Sequence, residues 1–250
     1  MKNTLRAGIA AAILAATSLN FSAALANDEK SNFSRAEIET IVREYLIKNP
    51  EVMLEVQASL QAKQQEAQKK AAQEAIALVG DEIFNSEADG IIGNPEGDVT
   101  IVEFFDYNCG FCKRAISDMD NLVKQDPNLR FVLKEFPILS EDSHKAATVS
   151  MAVHMIAPDK YAEFHRTLLG AQERATEESA VKVALNLGID ETALRNKMQD
   201  PTINDRFRST YALAEQLQIT GTPGYVVGQE IVSGAMGEQV LREKIAAARK

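Results

Sequence analysis

Cys109 and Cys112, in the run Asn108-Cys109-Gly110-Phe111-Cys112-Lys113, are the only cysteines among 250 residues. Any sulfur chemistry must therefore come from this pair, and three uses of a C-x-x-C spacing compete. A structural disulfide across so short a loop restrains the unfolded chain by roughly 2 kcal/mol, against ~3 for a loop of about 15 residues, and strain can cancel that gain. Tetrahedral zinc needs four ligands, and His144, His154 and His165 have neither an H-x3-5-H spacing nor a second cysteine pair to join. No metal site is expected within one chain. Thiol-disulfide exchange asks only for two thiols, one of them held as a thiolate at the start of a helix that follows a strand.

The surrounding residues predict that setting. Residues 99–105, Val-Thr-Ile-Val-Glu-Phe-Phe, read as a buried central strand leading into the dithiol. Behind it Cys112, Ile116, Met119 and Val123 fall on one helical face, with Ala115 and Leu122 beside it. Cys112 thus belongs to the buried stripe, and Cys109 sits one turn earlier at the open helix end. There the free N–H groups and the helix dipole favour a negative sulfur. Glu103 interrupts the apolar strand six residues before Cys109, and glutamate is seldom buried without a reason.

The other elements follow from punctuation. Gly90, Gly93, Asn94, Pro95 and Gly97 predict a loop over 85–98. Asp126-Pro127-Asn128 turns into a second strand over 129–136, ending at Pro137. Residues 141–217 read as helical, with breaks at Pro158, Gly188 and Pro201. Thr222-Pro223 leads to strand 225–227, a Gly228-Gln229 turn, strand 231–232, and a last helix through Leu241 and Ile245. Strand, helix, strand, helical block, hairpin and helix make an α/β domain with a helical insertion.

Ahead of it, Lys2 and Arg6, an apolar stretch over 7–19, and Ala24-Leu25-Ala26 match the three regions of a signal peptide, residues 1–26, cleaved after Ala26. The apolar run is too short to span a bilayer. Ser34-Arg35-Ala36-Glu37 is a capping-box pattern opening a helix with Ile38, Ile41, Val42, Tyr45 and Leu46 on one side. A second helix, over 51–79, would be ~40 Å long and carries only a narrow apolar seam. A seam of that kind packs against its own domain or a second copy of the chain, so residues 28–79 are expected to form an oligomerisation stalk. The net charge of -9 becomes more negative once Lys2 and Arg6 are lost, which argues against nucleic-acid and anionic-membrane partners.

At Thr100 to Lys113, and again at Ile219-Thr220-Gly221-Thr222-Pro223-Gly224, the chain resembles the DsbA-like family of the thioredoxin superfamily, in particular periplasmic proteins of the ScsC type with a helical N-terminal extension. The resemblance implies a thioredoxin fold with an inserted helical domain over 81–250 (insertion about 141–217), after the signal peptide (1–26) and the extension (27–80). It implies Cys109 as nucleophile and Cys112 as resolving cysteine. It also implies a cis bond at Thr222-Pro223, lying against the dithiol and presenting Thr222 backbone to an extended client, and a proton-relaying buried acid at Glu103. No cofactor beyond the redox-active pair is expected. The partners are then cysteine-containing client proteins and a membrane redox protein, in the periplasm.

Gly110 and Phe111 tune the direction of electron flow. They are closer to the Gly-Tyr of the periplasmic isomerase DsbC than to the Pro-His of the oxidase DsbA, which favours isomerase or reductase work. A DsbA-like dithiol oxidase and a Cu(I)-binding copper-tolerance protein are the alternatives.

Overall fold

The computed structural model describes residues 33–250, and the expected signal peptide lies outside them. The described residues divide into two units, the first ending at Gln57 and the second running from Ala58 to Lys250. In the first, α1 (Arg35–Lys48) begins at the expected capping box. The Ser34 hydroxyl accepts from the Glu37 N–H at 3.3 Å, and the Glu37 carboxylate accepts from the Ser34 N–H at 2.8 Å. No residue of α1 is buried, and Ile38, Ile41, Val42 and Tyr45, three and four apart, stand exposed. Pro50 then opens α2 (Glu51–Leu78), whose first turns complete this unit.

The second unit takes up the rest of α2, and near its end Ile76 is buried in a core with Ile83 of α3 (Gly80–Phe84). A mixed five-stranded sheet follows, ordered β1 (Gly90–Gly93), β3 (Leu129–Glu135), β2 (Val99–Phe105), β4 (Gly224–Val227), β5 (Glu230–Ser233). β2 is central, parallel to β3 and antiparallel to β4, and α4 (Gly110–Gln125) connects the parallel pair. Alternation along β2 sends Ile101, Glu103 and Phe105 to the face covered by α4, and Val102 and Phe104 to the other. On that second face pack Ile76, Ile83 and Leu213 of α9 (Thr202–Gln216).

Three expectations are corrected. Residues 85–98 are not all loop, because β1 pairs antiparallel with β3. Its glycines are there for close packing: a Cβ on Gly90 would fall 1.8 Å from the Tyr161 ring, and one on Gly93 would fall 2.4 Å from the Leu129 carbonyl oxygen. The helical block has a further break at 171–176, between α6 (Pro158–Gly170) and α7 (Glu177–Asn186), the latter capped by Thr176. The stripe of α4 is rotated from the one expected, with Cys112, Ala115, Met119 and Leu122 buried and Ile116 and Val123 only half-buried.

The remaining helices, α5 (Glu141–Ile156), α8 (Glu191–Met198) and α10 (Glu238–Ala248), complete the unit. Pro158 starts α6, Gly188 lies between α7 and α8, and Pro201 precedes α9, where the breaks were expected. No described helix is long and apolar enough to cross a membrane.

Candidate active site

The sheet delivers the chain to the dithiol through a short, fully committed turn. Beyond β2, the buried Asp106 carboxylate accepts from the Asn108 N–H at 2.7 Å and from the Leu139 N–H at 3.0 Å, and its carbonyl accepts from the Cys109 N–H at 3.0 Å. Cys109 is then the N-cap of α4, and its sulfur accepts from the Cys112 N–H at 3.4 Å. Sulfur takes the place that a Ser or Asp oxygen fills at ordinary N-caps.

The two sulfurs are electrostatically unlike. A hydrogen bond from the Cys112 thiol does most to hold the Cys109 thiol down to about 5, helped by Thr222 and by the N–H groups of Cys112 and Phe111, against the cost of burial. The same contact with Cys109 drives Cys112 far up, and burial and the charge of Glu103 add to it. The expectation of an open Cys109 needs correcting. Its accessible surface is only 5% and that of Cys112 is nil, while Phe111 between them is 57% exposed with the Arg114 guanidinium stacked 4.3 Å above its ring.

Thr222-Pro223 is cis, and the Cys109 thiol donates to the Thr222 carbonyl oxygen at 3.1 Å. The Thr222 hydroxyl is buried without a partner among the described residues. Gly224 follows because a Cβ there would meet Ile219 Cγ2 at 2.6 Å.

Glu103 is buried at 4% exposure on the central strand, on the α4 side, and its carboxyl is pushed up to about 8, chiefly by burial. The Tyr225 hydroxyl, from the residue paired with it across β2 and β4, donates to its Oε1 at 3.4 Å. The candidate residues Cys109, Cys112, Glu103, Thr222 and Pro223 are thus assembled at one end of the sheet, with Gly110 and Phe111 in the first turn of α4.

Three contributors carry no functional signal in the sequence. Tyr225 reads only as strand, and the register that sets it opposite Glu103 is visible only in the folded sheet. Asn108 and Lys113 read as flanks of the dithiol. In the fold Asn108 exchanges two hydrogen bonds with the backbone of Ala175, and Lys113 donates to the carbonyls of Ala171 and Glu173. The histidines take no part in the dithiol. His165 is buried against Tyr107 and Phe105, and its pKa is pushed down to about 3 by burial.

Residues 100–246 match the DSBA-like thioredoxin domain, and residues 35–67 match the Copper resistance protein ScsC N-terminal domain. A thioredoxin-like oxidoreductase from Silicibacter pomeroyi DSS-3 is 39% identical, with 68% of this chain and 96% of that one covered and a TM-score of 0.65. BcfH from Salmonella enterica Typhimurium is 28% identical, covering 86% and 96%, with a TM-score of 0.72. Proteus mirabilis ScsC in a transitional conformation is 26% identical, covering 85% and 95%, with a TM-score of 0.65.

Among curated relatives, the chain spans 25% of the Na(+)/H(+) antiporter NhaA 1 of Salinispora arenicola, at 26% identity over 65% of its own length. It spans 74% of Disulfide bond formation protein D of Bacillus subtilis, at 23% identity over 62% of its own length.

Proposed function

Because this chain belongs to the DSBA-like thioredoxin domain family of thiol-disulfide oxidoreductases, we propose that it exchanges disulfides with client proteins in the periplasm, working as an isomerase or reductase through Cys109 and Cys112. The observation that supports the exchange chemistry, in either direction, is the asymmetry of the pair, one sulfur held as a thiolate near neutral pH and the other held protonated. The Cys109 thiolate attacks a client disulfide; a bond forms between Cys109 and one client sulfur, and the other client sulfur leaves as a thiolate. That thiolate can then attack another disulfide of the client, and the thiolate so released attacks the client sulfur bonded to Cys109, which leaves the client with a new pairing and returns Cys109 as a thiolate.

If the client stalls, Cys112 must lose its proton before it attacks Cys109 Sγ and frees the client with both sulfurs reduced. We assign that proton to the ionised form of Glu103. Its charge is felt at Cys112, and a carboxyl poised at about 8 exchanges a proton readily near neutrality. The electrons lost in such a release come back through a membrane redox partner. The backbone at Thr222-Pro223 lies beside Cys109 Sγ and is suited to an extended client segment. Phe111, Leu139 and Met236, exposed on segments that hydrogen-bond into the site, supply apolar surface for it.

The preference for isomerase or reductase work rests on Gly110-Phe111 and on the apolar face of α1, unpartnered among the described residues and suited to joining copies of the chain. Several dithiols around one misbonded client raise their effective concentration. A specific observation favours a second reading, a dithiol oxidase. A strongly stabilised Cys109 thiolate stabilises the reduced pair and makes its disulfide an oxidant.

Reduced protein with scrambled ribonuclease, and oxidised protein with reduced ribonuclease, separate the two. Recovery of ribonuclease activity mainly in the first supports the isomerase, recovery mainly in the second supports the oxidase, and recovery in neither contradicts both.

A further inference from the structure

The loop at 171–176, between α6 and α7, is bound from both sides of the dithiol. From the residue just before Cys109, the Asn108 Oδ1 accepts from the Ala175 N–H at 2.8 Å and its Nδ2 donates to the Ala175 carbonyl at 2.9 Å. This is the two-way pattern of neighbouring strands, made here by a side chain. The same Nδ2 lies 3.2 Å from the Ser143 hydroxyl oxygen at the start of α5. From the residue just after Cys112, the Lys113 ammonium donates to the Ala171 carbonyl at 2.6 Å and to the Glu173 carbonyl at 2.7 Å.

An ordinary surface lysine keeps its ammonium in water. Lys113 instead spends it on two backbone carbonyls, and burial pulls its pKa down. The Asn108 N–H is itself bound to Asp106, so the backbone entering the helix is held from beneath and its side chain from above.

What depends on this arrangement is the first turn of α4. The Cys109 thiolate is stabilised by donors whose direction is set by that turn, the Cys112 N–H at 3.4 Å among them, and such bonds weaken steeply when misaligned. We propose that the loop at 171–176 belongs to the frame of the active site: through Asn108 and Lys113, acting as positioning residues, the helical insertion holds the start of α4, and with it the donors that face Cys109 Sγ, in place. This rests on the reading of Cys109 as the exchanging sulfur. It gives the insertion a part in setting the reactivity of a dithiol to which it contributes no reacting atom.

The test uses the full-length reduced protein. The pH dependence of Cys109 alkylation and the equilibrium of the pair with glutathione are measured for wild type, Asn108→Ala, Lys113→Met and Lys113→Arg. Arg166→Ala serves as control, because Arg166 ties α6 to Asp120 in the middle of α4 at 2.6 Å, away from the first turn. Asn108→Ala and Lys113→Met are expected to raise the Cys109 pKa by about half a unit or more, and to shift the glutathione equilibrium about threefold toward the protein disulfide. Lys113→Arg keeps the donors and is expected to stay near wild type, as is Arg166→Ala.

If Asn108→Ala does not fold, Lys113→Met against Lys113→Arg carries the same comparison. Variants that titrate with a low-pKa wild type overturn the proposal, and so does an equal shift in Arg166→Ala. A wild-type Cys109 that titrates as an ordinary thiol overturns the parent reading of the site, a result distinct from either.

Discussion

At Cys109 the hydrogen bond from the Cys112 thiol, joined by the N–H groups of the helix start, makes a thiol acidic, and the pH dependence of stability must record it. A folded pKa of about 5 lies below the unfolded thiol value of about 8.5, so the reduced protein gains stability that is complete above the unfolded value and is lost as pH falls through about 5. The advantage of reduced wild type over Cys109→Ser in urea unfolding should shrink by about tenfold or more in the equilibrium constant between pH 8.5 and pH 4.5. A constant difference would show that the sulfur is not a stabilised anion.

Glu135 has the opposite sign. It is buried on β3, accepts from the Tyr161 hydroxyl at 3.3 Å, and is pushed up to about 8, first by burial. The unfolded carboxyl ionises near 4.3, so the folded state holds the extra proton between there and about 8, and stability falls as pH rises through that window. Glu135→Gln should remove that slope and add about 1–3 kcal/mol at pH 8 and little at pH 5. Equal effects at both pH values would contradict the assignment. The chemistry at this scale was legible where a residue type is unusual in its place, as with the lone cysteine pair, a glutamate inside an apolar strand, and Thr222-Pro223 ahead of a strand. Tyr225, Asn108 and Lys113 were not, because their roles depend on which backbone lies opposite them after folding.

Among the elements, β2, α4, β3 and the closing hairpin follow from apolar runs and turn residues, and the structure has them nearly where the pattern puts them. β1 was hidden because its two glycines look like loop punctuation, when they are the positions where Tyr161 and the Leu129 carbonyl come too close for a side chain. Gly90→Ala should therefore cost about 1–3 kcal/mol by overpacking, read as a lower denaturant midpoint, while the Cys109 pKa stays put. An unchanged midpoint would mean that β1 is not held against α6. The break at 171–176 carries only a weak mark in the sequence, the charged run Glu173 to Glu178, which reads as the start of a solvated helix. No proline or glycine lies within it, and the hydrogen bonds that hold it there come from side chains far away in sequence.

For the whole molecule, the family and the thioredoxin-type fold were legible because motif and element order agree along most of the chain. Four apolar residues of α1 are exposed and without a partner among the described residues, whereas Ile76 near the end of α2 is already part of the core of the second unit. A truncation should thus stop at Gln57 rather than at residue 79. Removing residues 27–57 is expected to lower the mass seen by light scattering to that of a monomer, to leave Cys109 alkylation unchanged, and to reduce scrambled-ribonuclease recovery severalfold. An unchanged mass would remove the stalk from the account.

All of this depends on one sulfur being the exchanging anion. Alkylation of the reduced full-length protein with iodoacetamide across pH, with the label located by mass spectrometry, tests that most directly. A single label on Cys109 with a midpoint near pH 5 is the expected result; first labelling at Cys112, or a midpoint near the free-thiol value of about 8.5, would contradict it.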